Sequence, residues 1–185
     1  TNADEQWFGR KDVFNYENDD NTWTVNEEKI IFDGKQTWKK YVDSRRLEIT
    51  CGEAPYLVSR YDTTTGGLIV PPINRIGFLD RKLRVVNENT ITEEEWLKWA
   101  ERAIQSYYGY EYQGDNLLIA RINVLLSFYE YFIERWKHEL EKKTLNRIAN
   151  IISWNIWQMD AFTYSIPYEK NLPQYQQTSL FADEV

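Results

Sequence analysis

Leu47-Glu48-Ile49-Thr50-Cys51-Gly52-Glu53-Ala54-Pro55-Tyr56-Leu57 carries the most structural information in this chain. An apolar, strand-like lead-in ends in an acid and a tight turn of small residues, where a ligand would have to approach the backbone. Such an arrangement suits a cofactor more than a core. Upstream, Trp38 to Val42 reads as a short helical or extended approach to a strand at 46–50. Downstream, a short helix is expected to run to about Tyr61, before Thr63-Thr64-Thr65-Gly66-Gly67 and Pro71-Pro72 break regular structure.

That break opens an excursion holding Arg75, Arg81, Lys82 and Arg84, the densest basic cluster in an acidic chain. It reads either as a solvated face or as a lip near a ligand. Thr92-Glu93-Glu94-Glu95 is a capping box, followed by one helical face of Trp96, Trp99, Ala100, Ala103, Ile104 and Tyr107. A strand from Tyr107 to Tyr112 comes next. Gly114 or Asp115 then starts a long helix, whose stripe Leu118, Ile122, Leu125, Tyr129, Phe132 and Trp136 repeats at three and four residues. Thr144 can cap a further helix through Ile148, Ile151 and Ile152, ahead of a strand near 155–159.

The order strand, helix, strand, helix, helix, strand implies parallel strands joined by right-handed crossovers. The expected fold is α/β, an incomplete Rossmann-like parallel sheet with flanking helices. Residues 1–44 read as an N-terminal extension packed on the domain, with a turn at Asn18 to Asn21 and a hairpin or layer involving Trp23, Val25, Ile30, Ile31 and Phe32. Residues 45–165 form the domain, and 166–185 a Pro- and Gln-rich tail or linker.

Bulk properties set limits on function. The 185 residues suit one domain, with 42% hydrophobic and 28% charged residues in ordinary globular proportion. No apolar run approaches the roughly 18 residues of a membrane span. Thr1 to Glu5 lacks the basic and apolar regions of a signal peptide, so a cytoplasmic protein without membrane contact is expected. One cysteine, Cys51, cannot form an internal disulfide, and with a single histidine, His138, it excludes a Cys/His zinc cluster. His138 sits on a charged helix end and is expected to be exposed. A net charge of −7 argues against this chain being the main grip on a phosphate backbone. The 8 Trp and 13 Tyr point to core or interface.

The quoted stretch resembles the first cofactor motif of the amino-group DNA methyltransferases, with Glu48, Cys51, Gly52, Ala54, Tyr56 and Leu57 in register. Ile49 stands where that family has Pro, and Ala54 where it has a second Gly. Tyr108-Gly109-Tyr110-Glu111, followed by Ala120-Arg121-Ile122-Asn123, resembles the second motif. Trp157-Gln158-Met159-Asp160-Ala161-Phe162 resembles the third. The nearest likeness is to adenine-specific subunits of bacterial restriction-modification systems. The intervals between motifs exceed those of compact members, and the basic excursion and long helices would absorb the excess.

The resemblance implies an S-adenosylmethionine site. Glu48 and the backbone of Thr50, Cys51, Gly52 and Ala54 would hold the methionine end. Glu111 would take the ribose hydroxyls and Asp160 the adenine amine, while Tyr112 or Phe162 would stack on the ring. Each of those ligand groups donates hydrogen bonds that a carboxylate can accept. Cys51 is part of the turn in this family and no nucleophile. The catalytic Asn/Asp-Pro-Pro-Tyr segment is missing, since neither Pro71-Pro72 nor Ile166-Pro167-Tyr168 supplies the polar residue. The expectation is therefore the N-terminal portion of a longer enzyme, or a subunit completed elsewhere, inactive on its own. It would meet DNA through the full-length protein, whose catalytic and target-recognition regions would lie C-terminal or in a partner subunit. Two other readings compete: a regulatory or antirestriction protein on a methyltransferase-like scaffold, and a sugar-binding module, which predicts an all-β pattern that the helical stripes contradict.

Overall fold

The structure is a computed structural model that describes residues 14–17, 22–32, 37–62 and 64–167. Its centre is a three-stranded sheet, β3 (Arg46–Ile49), β4 (Tyr107–Glu111) and β5 (Ile156–Gln158), in that spatial order. Both pairings are parallel. A separate antiparallel pair, β1 (Phe14–Glu17) and β2 (Thr22–Val25), precedes it. The turn expected at Asn18 to Asn21 lies outside the described residues. This N-terminal layer is tied to the domain where Trp23 Nε1 donates to the Asn74 carbonyl at 3.2 Å and the Ile30 N–H to Glu88 at 2.9 Å.

Five helices are described: α1 (Trp38–Asp43), α2 (Phe78–Asn89), α3 (Glu93–Gln105), α4 (Gly114–Trp136) and α5 (Lys142–Asn155). Thr92 caps α3 by accepting the Glu95 N–H at 3.3 Å, and three acids in the first turn suit the positive end of the helix dipole. The cap expected at Thr144 falls three residues earlier, at Glu141, and makes no side-chain hydrogen bond. No helix forms between Pro55 and Tyr61. Instead Ser59 turns its N–H to Asp80 at 2.8 Å, and Tyr61 bridges to Leu68 in a small hairpin.

Strand alternation puts Glu48, Gly109 and Ile156 on one face of the sheet, which the helices cover. Leu57, Leu79, Ile104, Tyr107, Val124, Ile152 and Ile156 meet there around a void of about 10 Å³. Farther along, the Trp96 ring sits 5.5 Å from that of Phe128 and 5.7 Å from that of Phe132. Gly109 is where the sheet must lie close to the turn: an added Cβ would stand 3.1 Å from Cys51 Sγ.

Two expectations are corrected. The basic excursion is neither a solvated face nor a lip, because Arg75, Arg81, Lys82 and Arg84 are all buried. Lys82 Nζ donates to Ser106 Oγ at 2.7 Å and to the Ser44 carbonyl, while Arg84 reaches Glu88 at 2.7 Å and the Asn26 and Glu28 carbonyls. These cations fix α2 to the N-terminal layer and to β4's entry. The buried face of α4 is also rotated from the expected stripe: Leu117, Ala120, Asn123, Val124, Ser127, Phe128, Tyr131 and Phe132 are inside, and Leu118 and Ile122 are exposed. The first half of this helix is apolar on nearly every side, so three-and-four spacing fits several faces. The small residues Ala120 and Ser127 allow the close approach that periodicity does not encode.

By length and average composition α4 is also apolar enough to cross a membrane, although no uninterrupted apolar run announces it. Two of its polar side chains tie it to the rest of the fold: Arg121 donates to the Ile156 carbonyl at 2.7 Å and Asn123 to that of Glu53 at 2.9 Å.

Candidate functional site

The chain leaves β3 through a turn in which alternate residues are left-handed: Thr50 at φ 62°, Gly52 at 56° and Ala54 at 66°. Glycine tolerates this region freely, whereas Thr50 and Ala54 must be held there. The holding contacts are specific. The Cys51 N–H donates to the Tyr110 carbonyl at 2.8 Å and extends the β3–β4 ladder, and the Ala54 N–H returns to the Cys51 carbonyl at 2.8 Å. The Gly52 N–H points across to β4, where Glu111 Oε2 accepts it at 2.7 Å.

Glu111 is buried, and its other oxygen accepts the Gln113 N–H at 3.0 Å. The acid expected to bind ribose thus shapes the turn as well. Each oxygen still has lone-pair capacity for another donor. A second tie comes from α4: Asn123 Nδ2 donates to the Glu53 carbonyl at 2.9 Å, while its Oδ1 accepts from Arg60 Nη1 at 3.2 Å. Arg60 pairs with Glu130, which also binds Arg75 at 2.6 Å. The first and second motifs are therefore brought into contact by Glu111 and Asn123.

Glu48 lies on the covered face, level with Gly109. Its Oε2 is buried and has no hydrogen-bond partner among the described residues. Burial pushes its carboxyl up to about 7. Cys51 is 1% exposed, and burial, then the charges of Glu48 and Glu111, push its thiol up to about 12. A buried thiol whose proton is held this firmly suits a packing role in the turn.

The third motif is placed differently. Asp160 follows β5, and its Oδ1 accepts the Phe162 N–H at 2.9 Å and the Thr163 N–H at 3.3 Å. The bond from Phe162 is the main reason its carboxyl is held below the usual range. The Asp160 N–H bonds to the Ser165 carbonyl at 2.9 Å, closing a small surface turn. Phe162 on that turn is 94% exposed and Tyr112 is 37% exposed. Glu48, Thr50, Cys51, Gly52, Ala54 and Glu111 thus form one cluster, while Asp160 and Phe162 occupy a turn of their own.

Arg60, Glu130 and Gln113 were invisible as site residues in the sequence, because their partners are distant or are backbone atoms. A cleft of about 730 Å³ lies between α1, α3 and α5, on the side where the chain enters β3 and β4, lined by Asp43, Leu97, Lys98, Trp99, Arg102 and Arg147. His138 is exposed, as expected, and pairs with Glu93 at 2.9 Å. No group of three or more metal-ligating side chains occurs among the described residues.

The fold and site define a mixed α/β chain with a small parallel sheet, flanking helices and a glycine-containing turn at one strand end. No family model, curated protein or solved structure matches the chain.

Proposed function

We propose that this chain is the S-adenosylmethionine-binding part of a DNA adenine-N6 methyltransferase of the restriction-modification type, on a partial Rossmann-like fold. The observation that carries the reading is Glu48: a buried carboxylate oxygen with no partner among the described residues, beside a left-handed turn at the end of a parallel strand. A cofactor ammonium is the kind of donor that would satisfy it. The turn from Thr50 to Ala54 would carry the methionine end, and Glu111 would offer its remaining lone pairs to the ribose. Asp160 would accept from the adenine amine, with Tyr112 or Phe162 against the ring.

When bound, the cofactor supplies an electrophilic sulfonium methyl for an exocyclic amine of an extruded adenine. This chain's residues would bind and orient it. Without an Asn/Asp-Pro-Pro-Tyr segment in its sequence, the polar site for the target amine, and the grip on DNA, would come from other regions or a partner subunit. A cytoplasmic setting belongs to the same proposal.

Calorimetric titration of the chain with S-adenosylmethionine tests this. Saturable binding, at least about tenfold weaker in Glu48→Gln, supports it, since losing a charged hydrogen bond costs about 1.5–3 kcal/mol. No binding at millimolar ligand by a folded chain would overturn it. A second reading, a non-catalytic regulatory or antirestriction protein on the same scaffold, is favoured by one observation: Glu111 and Asp160 both already accept backbone N–H groups of their own chain.

A further inference from the structure

The cleft of about 730 Å³ between α1, α3 and α5 opens at the far end of the sheet from the turn at Thr50 to Ala54. Helix α1 ends at Asp43, just before β3, and α3 ends at Gln105, just before β4. None of the residues assigned to the proposed cofactor site lines it. Its volume falls among those of small-molecule sites, which run from about 300 to 1,000 Å³ and join an apolar wall to a few polar groups that fix orientation.

Leu97 and Trp99 supply the apolar wall, with the Trp99 ring braced edge-on by Trp38 at 5.0 Å. The polar side is a relay of side chains from three helices. Arg102 bonds to Asp43 through Nε and reaches Gln105 Oε1 at 3.4 Å, Gln105 donates to Glu101 Oε1 at 3.3 Å, and Glu101 Oε2 pairs with Arg147 at 2.9 Å. Both oxygens of Glu101 are thus engaged. The guanidiniums are not fully used: Arg102 Nη2, and Arg147 Nε and Nη1, make no hydrogen bond among the described residues. Lys98 and Glu94 also line the cleft and offset each other in charge. Lys39 brings one more cation to its edge, 5.3 Å from the centre of the Trp99 ring. In a chain of net charge −7 this cleft therefore has donors to spare and a slight positive balance. Guanidinium groups match oxoanions through paired N–H bonds, and an indole takes a flat ring.

We propose that the cleft binds a small organic anion, a planar ring carrying one carboxylate or phosphate, with the ring against Trp99 and Leu97 and the oxoanion between Arg102 and Arg147. This holds whichever ligand the strand ends bind.

Titration of the isotopically labelled full chain with adenosine monophosphate and, separately, with indoleacetate tests it through the indole N–H of Trp99 and the Nε–H groups of Arg102 and Arg147. Saturable shifts of those groups with at least one probe are expected, and the probe that binds tells a phosphate ligand from a carboxylate. The neutral counterparts, adenosine and indoleacetamide, should bind at least about tenfold more weakly, as should either anion to an Arg102→Gln/Arg147→Gln variant, because charge-assisted bonds are lost. Both arginine side chains are about half exposed, so this variant keeps the fold, which its amide spectrum verifies. Equal affinity for the neutral counterparts, or undiminished binding in the variant, would overturn the proposal. So would unmoved Trp99, Arg102 and Arg147 resonances at millimolar concentrations of both probes, including the case in which only Thr50 to Ala54 respond.

Discussion

Glu111 accepts the backbone N–H of Gly52 at 2.7 Å, joining two segments that lie 59 residues apart in the chain. The bond is part-buried, and it holds the left-handed turn against the end of the neighbouring strand. Replacing Glu111 by Ala should destabilise the fold by about 1–3 kcal/mol, because two backbone donors lose their acceptor. Urea unfolding measures this directly. A loss below about 0.5 kcal/mol would show that the turn holds its shape without the carboxylate.

The close approach of β4 to the turn gives a second test. A Cβ at residue 109 would meet Cys51 Sγ at 3.1 Å, tighter than ordinary contact. Gly109→Ala should therefore cost about 1–3 kcal/mol by overpacking. The same change in a Cys51→Ala background should cost clearly less, since the opposing sulfur is gone. Simple additivity of the two substitutions would contradict the contact.

Glu130 anchors two arginines whose side chains are 5% and 0% exposed, Arg60 and Arg75. Burial pushes its carboxyl up, but the bonds from Arg60 and Arg75 outweigh that and hold it below the usual range. Glu130→Ala strands both cations and should cost about 3–5 kcal/mol. Asp43→Ala removes the partner of Arg102 in a pair that is nearly half exposed, and should cost no more than about 1 kcal/mol. The ratio of the two losses in chemical unfolding is the check.

Much of the topology could be read from the residues. The strand-like lead-in at Leu47, the strand from Tyr107, the Thr92 capping box and the turn signals place the three strands, α3, α4 and α5, while α2 reads as part of an irregular excursion and the helix expected before Tyr61 does not form. Neither α2 nor its burial could be read, because a segment carrying Asp80, Arg81, Lys82 and Arg84 passes for a solvated excursion until its partners are known. Those partners, Ser44, Ser106 and the Asn26 and Glu28 carbonyls, are brought close only by the tertiary fold. The inward face of α4 was hidden by an excess of apolar residues. At the site, the acids could be picked out by their positions near strand ends, but not what they bond to: Glu48 Oε2 has no partner among the described residues, Glu111 braces the turn and Asp160 closes its own loop.

The two raised carboxyls make a pH prediction. Burial lifts Glu48 and Asp80 to about 7 each, whereas an unfolded chain releases these protons near pH 4. Between about pH 4 and pH 7 the folded state holds protons that the unfolded state has lost. The stabilisation linked to these groups is therefore complete below pH 4 and falls as pH rises through 7. Glu130 has the opposite sign and lowers stability only as pH falls through its own depressed range. Glu48→Gln should flatten the decline in unfolding free energy between pH 5 and pH 8. An unchanged slope would show that Glu48 is ionised in the fold throughout that range.

The most direct test of the proposed cofactor site is a titration of the isotopically labelled chain with S-adenosylmethionine, following backbone amide resonances. Saturable shifts concentrated at Thr50 to Ala54 and at Glu111 to Gln113, and lost in Glu48→Gln, are the expected result. A folded chain whose amides in those two segments stay unmoved at millimolar cofactor would contradict the assignment of the strand ends as a cofactor site.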